Sequence, residues 1–199
     1  MRAPDAIIER VPRLAALDEE WLPVSRGAAI GWLLFYGIML LSAATNGTLA
    51  NLMNLVFIPI HEGGHLLFRF FGEWIMVAGG TFLQLFVPLA LAVYFILQRQ
   101  VPGTAFCAFF LFEQLLPVAV YMADARCQCL TYVTVGDSDT AIHDWFYLFS
   151  SVGVVDHDTQ IGATVRMLGW FGMLATVAWF AVRALKSKRA AEVDVVGAI

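Results

Sequence analysis

An all-α polytopic membrane protein is the fold that the sequence predicts. About five transmembrane helices are expected, with an N-terminal amphipathic helix and one short re-entrant or interfacial helix. Three observations predict it. Hydrophobic residues make up 60% of the 199-residue chain and charged residues only 14%, against roughly 25% charged in an average globular domain. The mean hydropathy is +0.74. The apolar residues fall in long runs parted by short polar turns, with run lengths near the ~20 residues that a helix needs to cross hydrocarbon. The length allows one membrane domain, over 25–185, and no separate soluble module of ordinary size. The formal net charge of −4 is weak, and no basic cluster is interleaved with aromatics. Nucleic acid is therefore not an expected partner; the lipid bilayer is.

Residues 1–24 hold Ile7, Val11 and Leu14 at helical spacing, with Glu9, Arg10 and Arg13 elsewhere on the surface. This pattern predicts a helix lying in the membrane interface and ending at Pro23. Gly27 to Ala44 is the first span, and Arg2, Arg10, Arg13 and Arg26 before it place its N-terminal side in the cytoplasm. A turn over 45–48 leads to the second apolar run. Glu73 to Leu97 is the third, with Gly79, Gly80, Gln84 and Pro88 inside it. Its two glycines fit either a close helix-packing seam or a break in the helix. Thr104 to Ala123 is the fourth span and contains Glu113, Gln114 and Pro117. A charge at that depth is unfavourable, so Glu113 is expected to be protonated, paired or near a metal.

A polar loop follows, in which Cys127 and Cys129 read as two ordinary thiols at the membrane boundary. Asp139 or Thr140 is placed to cap the next helix. That helix starts near Ala141 and carries His143, Asp144 and Trp145. Its dozen or so residues are too few to cross a bilayer. Asp156, His157 and Asp158 read as a solvated turn. Gly162 to Leu185 is the last span, and a basic, disordered tail is expected over 186–199. Five spans from a cytoplasmic N-terminus put Lys186, Lys188 and Arg189 on the far side, against the bias of the first span. Either the His143 segment dips in and returns, or the turn at 45–48 does not cross.

The chemistry is concentrated in the second run, where His61, Glu62, Gly63, Gly64 and His65 stand within apolar sequence. Residues four apart share a helix face, so His61 and His65 can offer two imidazole nitrogens to one metal ion. Glu62 beside them can take a proton from water, the H-E-x-x-H arrangement of zinc peptidases. Ionisable groups so deep in a membrane helix are functional-site candidates by default. The competing readings are a pair of histidines ligating haem, or histidines hydrogen-bonded to neighbouring helices. A catalytic zinc takes three protein ligands. His143 is the favoured third, with Asp144 orienting an imidazole. Asp124 is the runner-up, and Asp144 and Glu113 are further carboxylate candidates.

On HEGGH at 61–65, with Gly79-Gly80 and Gln84 in the next span, the chain resembles the site-2-protease-like intramembrane zinc metallopeptidases. The resemblance covers about a third of the chain. It implies zinc bound by His61 and His65, Glu62 as general base, and Gln84, Gly79 and Gly80 positioning an extended substrate. The family's later Asp-Gly ligand motif has no counterpart here; Asp124 and His143-Asp144 are the nearest substitutes. Hydrolysis of a peptide bond in a membrane protein or peptide is the expected function, in a bacterial inner (cytoplasmic) membrane. The alternative is a non-catalytic membrane subunit that binds metal or haem, or only packs against partners in a larger complex.

Overall fold

A computed structural model describes residues 21–130 and 143–197, with side chains described as far as Leu185. The expected amphipathic segment falls almost wholly outside these residues, as do Asp139, Thr140 and the side chains of the expected tail. The described chain is helical throughout, without strands. Helix α1 spans Arg26–Ala44, and Ser25 caps it by accepting from the Ala28 amide at 3.3 Å. Helix α2, Thr48–Phe68, carries the HEGGH motif and passes through a 3-10 turn, Arg69–Phe71, to α3, Glu73–Leu97. Helices α4, Val101–Glu113, and α5, Leu115–Ala123, form one interrupted rod. A short helix α6, Asp144–Ser151, precedes a 3-10 turn, Val155–His157, and the long α7, Asp158–Gly197.

Four of these are long and apolar enough to cross a membrane: α1, α3, the α4–α5 rod and the part of α7 from the preceding turn to Leu185. The motif helix α2 has 21 residues, about 31 Å at 1.5 Å per residue. It is long enough to span but is diluted by Asn51, Asn54, His61, Glu62 and His65. The five expected spans thus become four that qualify by composition, plus the helix that carries the chemistry. Helix α6, with eight residues, reaches only about 12 Å and does not cross.

The break in the fourth rod has a clear cause. Pro117 has no N–H to offer the Glu113 carbonyl, and its ring crowds that carbonyl, so the helix parts at Gln114. Both Glu113 and Gln114 are nearly inaccessible, at 2% and 0% exposure.

Helices α2 and α3 pack as an antiparallel hairpin, α3 packs on α4, and α4 and α5 both pack along α7. Tyr36, Phe109, Phe110, Met173 and Phe180 form the main buried cluster, joining α1, α4 and α7. Leu34, Leu41, Phe171 and Leu185 are exposed on the outside of the bundle, the pattern of a surface solvated by lipid. A second apolar cluster of Val118, Met122, Ala125 and Phe149 seats α6 against the end of α5. The Trp74 indole N–H donates to Ser151 Oγ at 2.9 Å and ties the far end of α6 to the start of α3.

Beyond α6 the expected solvated turn is only partly so. Asp156 and His157 are exposed, but Asp158 is 1% exposed and takes a bidentate pair from Arg126, at 2.7 and 2.9 Å. Cys127 and Cys129, expected as separate thiols, are bonded to each other.

Candidate metal centre

Helices α2, α3 and α6 meet around two imidazoles. One helical turn separates His61 from His65, and their ring centroids lie 4.8 Å apart. The two rings are brought this deep into the hairpin because α3 has no side chain to keep them out. A Cβ on Gly80 would lie 2.5 Å from His65 Nε2 and 2.7 Å from His61 Nε2. One on Gly64 would press on the backbone of Gly79 and Gly80, with Gly80 Cα at 2.8 Å. Gly79 and Gly80 therefore serve as a packing seam within a continuous helix. They do not break it, and they let the two imidazoles lie against the α3 backbone.

Each imidazole has its Nδ1 engaged. His65 Nδ1 lies 2.9 Å from the Met76 carbonyl, which can only accept, so the proton of the neutral ring is on Nδ1 and the Nε2 lone pair points into the site. His61 Nδ1 lies 2.9 Å from Gln84 Oε1, which sets the same tautomer. Gln84 is buried, and its amide nitrogen donates to Gln114 Oε1 at 2.7 Å. Both ends of this amide are thus engaged inside the protein, where Gln84 can orient His61.

Both Nε2 atoms face one carboxylate oxygen. Asp144 Oδ2 is 3.0 Å from His61 Nε2 and 3.3 Å from His65 Nε2. One ligand atom from each of these three residues lies within 4.8 Å of the other two. Asp144, the first residue of α6, is held by its backbone N–H, which donates to the Tyr121 hydroxyl at 3.1 Å. Burial pushes its carboxyl up, but the hydrogen bonds and charges of His61 and His65 outweigh this and leave it below the usual carboxylate range.

Of the candidates for a third ligand, Asp144 and not His143 lies within reach of both histidines. His143 is the N-cap of α6, and its Nδ1 accepts from the Phe146 amide at 3.2 Å. Its Nε2 lies 3.5 Å from Asp124, and its ring is 4.5 Å from that of Tyr121. Burial pushes this imidazole below its ordinary value, with Asp124 opposing. Asp124 in turn accepts from the amides of Cys129, at 3.0 Å, and Leu130, at 3.3 Å. His143 and Asp124 thus face each other beside the site, while Asp144 faces the two histidines. Glu113 is bonded to Gln114 rather than to the histidines. Glu62 is partly buried next to His61.

Two residues of the site were not singled out as functional in the sequence. Tyr121 gave only the signal of a polar tip near the end of an apolar span. Gln114 stood beside the conspicuous Glu113. No protein-family model, curated protein or solved structure matches the chain. The functional reading therefore stands on the geometry of these residues.

That geometry fits a cation. Two Nε2 lone pairs and a carboxylate oxygen facing one another repel unless something positive lies among them. A single proton can satisfy only one of these contacts at a time. One divalent ion satisfies all three atoms. Two imidazoles and one carboxylate, with acceptors fixing the remote imidazole nitrogens, match the donor set and outer-shell pattern of catalytic zinc.

Proposed function

We propose that this chain is an intramembrane zinc metallopeptidase, with His61, His65 and Asp144 as the metal ligands and Glu62 as general base. The observation that carries the reading is the convergence of His61 Nε2, His65 Nε2 and Asp144 Oδ2, with both Nδ1 atoms committed to acceptors. The HEGGH spacing and its resemblance to site-2-protease-like enzymes support it further. The same packing disfavours haem: Gly80 lies directly against the imidazoles, and Asp144 stands 3.0 Å from His61 Nε2, where a porphyrin iron would have to bind.

A zinc ion held by these ligands supplies Lewis-acid chemistry, polarising a carbonyl and bringing the pKa of a water toward ~7. The chain's own residues do the rest. Glu62 takes a proton from the attacking water as its oxygen adds to the peptide carbonyl, and returns it to the amine as the C–N bond breaks. Tyr121 holds Asp144 through the backbone N–H of that residue. Amides of a transmembrane helix are already paired, so the substrate segment must be locally unwound before it can react. An inner (cytoplasmic) membrane of bacterial type is part of the proposal, as is a membrane-protein or peptide substrate.

The test is metal content by mass spectrometry of the detergent-purified protein, followed by cleavage of reconstituted membrane peptides. About one zinc per chain with Glu62-dependent cleavage is the expected result. No zinc after reconstitution with the metal would sink the reading.

A further inference from the structure

A line of buried polar side chains leaves the site on the side away from Asp144. His61 Nδ1 meets Gln84 Oε1 at 2.9 Å; Gln84 Nε2 donates to Gln114 Oε1 at 2.7 Å; Gln114 Nε2 donates to Glu113 Oε2 at 2.7 Å. It runs from α2 through α3 to the break in the α4–α5 rod. Gln84, Gln114 and Glu113 are 8%, 0% and 2% exposed. Three polar side chains at this depth are an expensive way to fill space, since apolar residues of similar size would pack there without unmet hydrogen bonds.

The line has a direction. A carboxylate accepts and cannot donate, whereas a carboxamide can present either end. Glu113 Oε2 accepts at the terminus, and Gln114 turns its NH2 toward it. Its oxygen then faces Gln84, which turns its own NH2 outward and its oxygen toward His61. Only a protonated Nδ1 satisfies that oxygen, and the Nε2 lone pair is left facing His65 and Asp144. Without an acceptor at the end, both amides can reverse. Gln84 then donates to Nδ1, the imidazole proton moves to Nε2, and the atom that must hold the metal is blocked.

We propose that Glu113 is a positioning residue for the metal centre, fixing the His61 tautomer across two helices through Gln114 and Gln84. The proposal rests on His61 Nε2 being a ligand atom, and is independent of whether the protein hydrolyses peptides. It also gives the Pro117 break a purpose, because the break sets the consecutive residues Glu113 and Gln114 in one buried polar line.

The experiment reads the tautomer directly, in metal-free protein with 15N-labelled histidine, and then measures zinc affinity by chelator competition. Wild-type His61 should carry its proton on Nδ1. Glu113→Gln should put a substantial part of the His61 population in the Nε2–H form and weaken zinc by roughly 10- to 100-fold, the usual cost of losing an outer-shell partner. Moving the charge should restore both. In the double variant Gln84→Glu, Glu113→Gln, residue 84 accepts from His61 and from the Gln114 NH2, while residue 113 donates to the Gln114 oxygen.

A network that only fills space has no reason to be rescued in this way. The proposal is overturned if wild-type His61 is protonated on Nε2. A folded Glu113→Gln protein with unchanged tautomer and zinc affinity overturns it too, as does a folded double variant no better than the single one. The wild-type measurement decides even if the variants do not fold. Tautomers as expected in a protein that cleaves no peptide would refute the hydrolase reading and leave this one standing.

Discussion

Gly80 lies against His65 so closely that a methyl group on its Cα would stand 2.5 Å from Nε2, the atom turned toward Asp144. Gly80→Ala should therefore displace the ligands without harming the helix, where alanine is favoured over glycine by about 1 kcal/mol. The expected result is a protein of normal helix content by circular dichroism whose zinc affinity has dropped more than about tenfold, the scale of a disturbed outer shell. Zinc bound as tightly as in wild type would contradict the described packing.

Asp144 and His143 are neighbours with different expected roles, and metal analysis separates them. Asp144→Ala should reduce bound zinc to below about a tenth, because it removes one of three ligands. His143→Asn retains a side chain able to cap α6, so it should leave zinc close to one per chain. The reverse result would return His143 to the ligand set.

Glu62 is assigned to proton transfer and not to metal binding. Glu62→Ala should retain zinc while cleavage falls by about 100-fold or more, the usual weight of a general base. Cleavage at the wild-type rate would remove it from the mechanism.

Metal binding should also appear as stability. A ligand present at a hundred times its dissociation constant stabilises the folded state by about 2.7 kcal/mol, worth roughly 5–10 °C for a chain of this size. Adding zinc to chelator-treated wild type should raise the thermal midpoint by several degrees, and adding it to Asp144→Ala should not. An equal rise in both proteins would mean that zinc acts elsewhere.

Much of this arrangement was legible in the sequence, and the remainder fails for identifiable reasons. Local periodicity was enough to pair His61 with His65 and to bound the third apolar segment at Glu73 and Leu97, where α3 begins and ends. Which candidate faces the histidines was not readable, because His61 meets Asp144 across 83 residues of chain. The choice between His143 and its neighbour turned on one helical position. A cap residue bends its side chain back onto its own helix, as His143 does to the Phe146 amide, while the next residue projects outward. Gly79 and Gly80 fitted a packing seam or a helix break equally, because the sequence does not show the α2 backbone that approaches them at Gly64. The partners of Gln84, His61 and Gln114, could not be read from its own segment, because they stand on α2 and at the α4–α5 break.

The order of the ligands along the chain bears on how the protein is made. Two of them stand on α2, and the third arrives on α6, after the hairpin and the α4–α5 rod have been synthesised. On a ribosome, the histidine pair enters the membrane long before the aspartate that completes it exists. A nascent or prematurely terminated chain that stops short of α6 carries the pair without its proposed third ligand, so on the proposed reading synthesis itself keeps the chemistry switched off until most of the bundle is in place.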